Sequence, residues 1–143
     1  MLGLLSVFGF VLMIGGLFGL IFTNSLFSFN PLIIPVQAAA VVLMVWARIT
    51  LGHRSFHAAA TPTKGALITN GPYRYIRHPI YAAVCLFTCA GALAHHSLGA
   101  LLVILVLIGA MARMFAEEQL LRARYPEYKA YAATTKRMVP FVF

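Results

Sequence analysis

From Leu2 to Phe22 the chain is apolar without a charged side chain, enough to cross a hydrocarbon core that takes roughly 20 such residues. Gly15, Gly16 and Gly19 lie where a neighbouring helix could come close. The segment has no basic leader and Thr23-Asn24-Ser25 is not a small-residue cleavage site, so it reads as a retained anchor. Asn30-Pro31 breaks the pattern, and Leu32 to Ala47 predicts a second span, with Trp46 at belt height and Arg48 closing it. These two spans are expected to form a hairpin. From Pro79 to Ala112 the chain is again uncharged, too long for one crossing, and His95-His96-Ser97-Leu98-Gly99 supplies a polar turn. A second hairpin follows, with spans at 79–94 and 98–115, each short enough to need tilt, local thinning or continuation of the helix beyond the hydrocarbon. The predicted fold is all-α: a polytopic transmembrane helical bundle of four spans, one membrane domain over residues 1–143, with a loop at 48–78 and a helical tail at 116–143.

Composition sharpens that picture. Hydrophobic residues make up 62% of the chain and charged residues 10%, against about a quarter charged in soluble domains. A soluble enzyme, a disordered chain and a disulfide scaffold are excluded. Cys85 and Cys89 stand one helical turn apart inside an apolar stretch, where they read as small packing residues, with no ligand set for a metal nearby. The formal charge of +8 is concentrated in two places. Arg48, Arg54, Lys64, Arg74 and Arg77 occupy the loop, and Arg113, Arg122, Arg124, Lys129, Lys136 and Arg137 follow the last apolar stretch. Short basic loops stay in the cytoplasm, so both segments and both termini are expected there. Their charge suits anionic headgroups, and the partner it implies is the bilayer, not nucleic acid.

The loop and the tail carry the chemistry. Gly71-Pro72-Tyr73-Arg74-Tyr75-Ile76-Arg77-His78-Pro79-Ile80-Tyr81 leads into the third span. Gly-Pro makes a turn, and His78-Pro79 ends an extended segment and begins a helix. An imidazole, phenols and guanidinium groups thereby gather at a helix N-terminus, which suits an anionic group. Arg113 and Glu117 lie one turn apart at the end of the fourth span. Glu118 and Arg122 repeat the spacing beyond it, and Pro126 suits the first turn of a short helix bearing Tyr128 and Tyr131. If the hairpin helices pack side by side, the His78 end and the Glu117 end line one pocket.

The run GPYRYIRHPIY, the hydrophobic hairpin after it, the Glu117-Glu118 pair and the tail RYPEYKAYAATTKRMVP resemble the isoprenylcysteine carboxyl methyltransferase and phospholipid methyltransferase superfamily of membrane enzymes. The resemblance extends from near Gly52 to Pro140. It implies S-adenosylmethionine as cofactor, held by Gly65, Ala66, Leu67, Ile68, Tyr73, His78, Pro79, Tyr81, Glu117 and Glu118, the last also orienting its neighbour or the tail. Arg113 matches the substrate-side arginine. Ala83 stands where many members have glycine, and the N-terminal half bears no recognisable substrate signature.

The residues fit the cofactor's chemistry. His78 and backbone N–H groups suit its carboxylate, Glu117 its ammonium, and tyrosine rings its sulfonium. Methyl transfer is an in-line displacement that depends on alignment and exclusion of water. A carboxylate acceptor, as in an isoprenylcysteine-like molecule, needs no base, and Arg113 would hold it. A phospholipid amine must first lose a proton, for which His53 or His57 is a candidate, and Arg113 would then hold the phosphate. Two readings from other classes stay open: a nicotinamide-dependent membrane reductase, and a non-catalytic membrane subunit.

Overall fold

The computed structural model describes residues 1–52, 66–93 and 97–140, and its regular elements are helical. They are α1 (Leu2–Phe22), α2 (Ile34–Leu51), α3 (Pro79–Ala92), α4 (Ser97–Arg124) and α5 (Tyr128–Thr134), with a 3-10 turn at Gly71–Arg74. Three of them, α1, α2 and α4, are long and apolar enough to cross a membrane. The fourth expected span, α3, is a 14-residue apolar helix, about 21 Å long at 1.5 Å per residue and so shorter than a hydrocarbon core of about 30 Å.

The expected span of 32–47 is corrected to Ile34–Leu51. Pro35 sits in the first turn, where its missing N–H costs nothing. Arg48 does not close the helix, since a long cationic side chain can extend along it toward water. The helix ends at Gly52, whose φ of 60° suits glycine. The turn containing His95 and His96 lies outside the described residues. α4 runs unbroken past position 115 to Arg124, because Ala, Leu, Glu, Gln and Arg sustain a helix after the apolar stretch ends.

The pairing of the first two spans is also corrected. α1 packs along α4, α2 packs on α3, and α3 on α4, with no comparable α1–α2 contact among the described residues. The reason is steric. Gly9 and Gly109 bring two backbones so close that a Cβ on Gly109 would stand 2.5 Å from the Gly9 carbonyl oxygen, and one on Gly16 would stand 2.7 Å from Val106. Such approach is the main source of helix association where lipid competes for every apolar contact. Gly15, by contrast, touches nothing. Around this seam Met13, Leu20, Val103, Val106, Ala110 and Met114 are buried, while Phe8, Phe18, Ile104 and Ile108 face outward. The buried Gln37 amide donates to Leu26 O at 2.8 Å and Phe87 O at 3.3 Å, tying the first turn to α2 and α3.

Candidate functional site

The segment before α3 is positioned from three sides. Gly71 has φ 57° and rests on Thr50 at the end of α2, where a Cβ would stand 2.5 Å from the hydroxyl. His78 caps α3 with a non-helical φ of −126°, and Pro79 opens the helix. On the third side the tail runs parallel to the segment and pairs with it: Arg77 N donates to Lys136 O at 2.8 Å and His78 N to Arg137 O at 2.9 Å. The Tyr131 hydroxyl adds a bond to Tyr73 O at 2.6 Å. Burial pushes the Tyr131 phenol up to about 12. Burial, and next the charge of Glu117, pushes Tyr73 higher still, so both phenols keep their protons.

The adjacent carboxylates of α4 point into different surroundings. Glu118 is enclosed, its side chain 3% exposed. Arg77 grips it through Nε at 3.1 Å and Nη2 at 2.9 Å, Arg137 Nε approaches at 3.2 Å, and Arg122 stands at 3.8 Å. Arg77 Nη1 meanwhile donates to Ala132 O at 3.1 Å and to Thr135 O, the end of α5 where free carbonyls favour a cation. One arginine thus ties α4, α5 and the tail to the segment that carries His78.

Glu117 remains 24% exposed. Its Oε1 accepts the Tyr81 hydroxyl at 2.5 Å and lies 3.3 Å from Arg113 Nε. Arg113 Nε also donates to the Tyr81 oxygen at 2.5 Å, and its guanidinium lies 4.9 Å above the centre of the Phe10 ring. An apolar span thus holds a buried arginine paired with a carboxylate, a phenol and an aromatic face, which fits the rule that intramembrane charges are paired. His78 stands between the two acids, with Nδ1 3.8 Å from Glu117 and Nε2 3.4 Å from Glu118. Its Nε2 is misaligned for a hydrogen bond and buried without one among the described residues.

The family profile of phospholipid methyltransferases matches residues 32–128, more than half of the chain and all of the Glu117 cluster except Phe10. The chain belongs to the phospholipid methyltransferase family. Comparisons with curated proteins and with solved structures returned no match. Membership supports a methyltransferase at the bilayer and a lipid acceptor.

Within this phospholipid methyltransferase fold, Tyr73, His78, Tyr81, Arg113 and Glu117 come together, with Glu118 behind His78. Pro79 and Ala83 are buried. Ala66 is exposed, and Leu67 and Ile68 are half-buried in irregular chain leading to the 3-10 turn. Gly65, His53 and His57 lie outside the described residues. Sequence reasoning gave no role to two residues that shape the site, Arg137 and Phe10, and placed Arg77 only among the guanidinium groups at the start of α3. Arg77 had a signal in its place beside His78. Phe10 had none, because a phenylalanine in an apolar span looks like any lipid contact. Arg74 and Tyr75 are exposed, as interface anchors would be.

Proposed function

We propose that the chain transfers a methyl group from S-adenosylmethionine to a lipophilic acceptor reaching the site from the bilayer. The observation that carries this reading is the partly open Glu117 carboxylate, set against Tyr81 and Arg113 inside the family-matched stretch. S-adenosylmethionine, when bound, supplies a methyl carbon activated by a sulfonium. Glu117 has an accessible carboxylate for its ammonium, and the Tyr73 and Tyr81 rings offer π faces to a sulfonium. Glu118, enclosed and occupied by arginines, positions His78 and the tail. Arg113 holds an anionic group of the acceptor and, buried against Phe10, keeps that end of the site dry.

For the acceptor, the family match favours a phospholipid amine, with the carboxylate of an isoprenylcysteine-like molecule as the second reading. An amine must lose a proton before its lone pair can attack, and with Glu117 given to the cofactor's ammonium the imidazole of His78 is the described base at the site. We further propose that this end of the bundle, with both termini, faces the cytoplasm, which the clustered basic residues support.

The test is calorimetric binding of S-adenosylmethionine to the detergent-purified chain and to Glu117→Gln, with a nicotinamide dinucleotide as control. Binding of S-adenosylmethionine alone, weakened roughly 10- to 100-fold in Glu117→Gln, is expected. Binding only of the nicotinamide would turn the reading to a reductase, and binding of neither by folded protein would turn it to a non-catalytic subunit. Turnover on phosphatidylethanolamine vesicles against an S-farnesyl cysteine then separates the acceptors.

A further inference from the structure

A cleft of about 300 Å³ opens between the far part of α4, the end of α5 and the tail, and four cationic residues line it: Arg77, Arg122, Lys136 and Arg137. We propose that this cleft is a binding site for a phosphate group, separate from the Glu117 cluster.

The argument begins with charge. No acid lines the cleft, and the one carboxylate behind it is Glu118, which already serves Arg77, Arg137 and, at 3.8 Å, Arg122. Four cations less one carboxylate leave an excess of three positive charges. The chain has two other acids. Glu117 is turned to Tyr81 and Arg113, and Glu127 precedes α5 at the end away from Ala132 and Thr135. Gathering like charges raises the free energy of the folded chain unless an anion joins them.

The donor set favours phosphate. Guanidinium groups present paired N–H donors to its oxygens, and lysine adds a compact charge. Arg77 and Arg137 are engaged with Glu118 and form the floor. Arg122, whose side chain is 52% exposed, and the exposed Lys136 can close on a ligand without dismantling that pairing. The cleft also sits beyond the apolar runs of α3 and α4, a position that suits a headgroup. Lys136 and Arg137 pair with the residues immediately before α3 enters its apolar run, and Arg122 is about two turns beyond the apolar part of α4. Arg77 and Arg122 lie inside the family-matched stretch, and Lys136 and Arg137 lie outside it. The phosphate can come from an anionic phospholipid or from solution.

Two measurements test the site. The first needs no variant: the melting temperature of the detergent-purified chain is followed with inorganic phosphate and with chloride at matched ionic strength. A saturable rise with phosphate alone is expected. The second measures binding of inorganic phosphate to the chain in detergent, and of phosphatidylglycerol to the chain in phosphatidylcholine nanodiscs, for the wild type and for Arg122→Gln/Lys136→Gln. At least one ligand should bind saturably, and the double variant should weaken it tenfold or more while S-adenosylmethionine affinity stays unchanged. Binding of phosphatidylglycerol alone assigns the site to a headgroup, and binding of inorganic phosphate alone to a soluble anion. Saturable binding of neither, no weakening in the double variant, or an equal loss of S-adenosylmethionine affinity would each overturn the proposal. Because cofactor binding is read separately, a failure of the methyltransferase reading leaves this result standing.

Discussion

Glu117 and Glu118 are neighbours on one helix, yet the region each faces is built on a different plan. On the Glu118 side an enclosed carboxylate is surrounded by arginines from the motif segment, α4 and the tail. On the Glu117 side a half-open carboxylate meets a phenol and an arginine backed by Phe10. Successive helical residues are about 100° apart, so one pair of acids can address two compartments. The difference teaches that a repeated acid in a motif need not mean a repeated role. The enclosed acid holds the site together, and the open one is available to a ligand.

Substitutions can pull the two sides apart. Glu118→Ala leaves Arg77, Arg137 and His78 without their carboxylate, and removing one member of a buried charge set costs about 3–5 kcal/mol. The expected outcome is a large fall in melting temperature in detergent, with cofactor binding lost only because the site is no longer assembled. Arg77→Lys keeps the charge but cannot grip Glu118 and the α5 carbonyls together. A loss of about 2 kcal/mol is expected, read as faster protease cleavage of the tail at unchanged helix content. Glu117→Gln leaves the buried Arg113 without its countercharge but keeps an oxygen for it and for Tyr81, so a loss of about 1 to 2 kcal/mol, smaller than that of Glu118→Ala, is expected. The same substitution should weaken S-adenosylmethionine binding roughly 10- to 100-fold, the worth of a hydrogen bond to a charged group. Equal melting losses in Glu117→Gln and Glu118→Ala would erase the distinction between the two sides. The smallest effect is expected from Phe10→Leu, which removes a cation–π contact worth about 0.5–1 kcal/mol. It should raise the acceptor KM a few-fold while cofactor affinity holds, and Phe10→Trp should restore it.

Much of this arrangement was legible in the sequence. Charge-free runs marked α1 and α4, the His78-Pro79 step marked the start of α3, and the one-turn spacing of Arg113 and Glu117 foretold their contact. The motif drew attention to His78 and Tyr81, which the fold brings beside Glu117. The pairing of α1 with α4 was hidden, because Gly9 and Gly109 are a hundred residues apart and glycines are common throughout the apolar runs. Gly15, a plausible contact by sequence, faces away. The alignment of residues 136–137 beside 77–78 was hidden for a related reason: a two-residue parallel pairing leaves no periodic trace. The roles of Arg77 and Phe10 depend on both of those long-range placements.

The strip of tail laid beside Arg77 and His78 also bears on synthesis. A growing chain inserts α1 first, and its glycine face must wait for α4 before it finds its partner. Even with all four apolar helices made, the backbone N–H groups of Arg77 and His78 lack their partners until residues 136 and 137 have been added. Translation therefore completes this pairing only after all the helices have been made. A chain released before residue 136 would have its helices in place and the end that bears His78 unassembled.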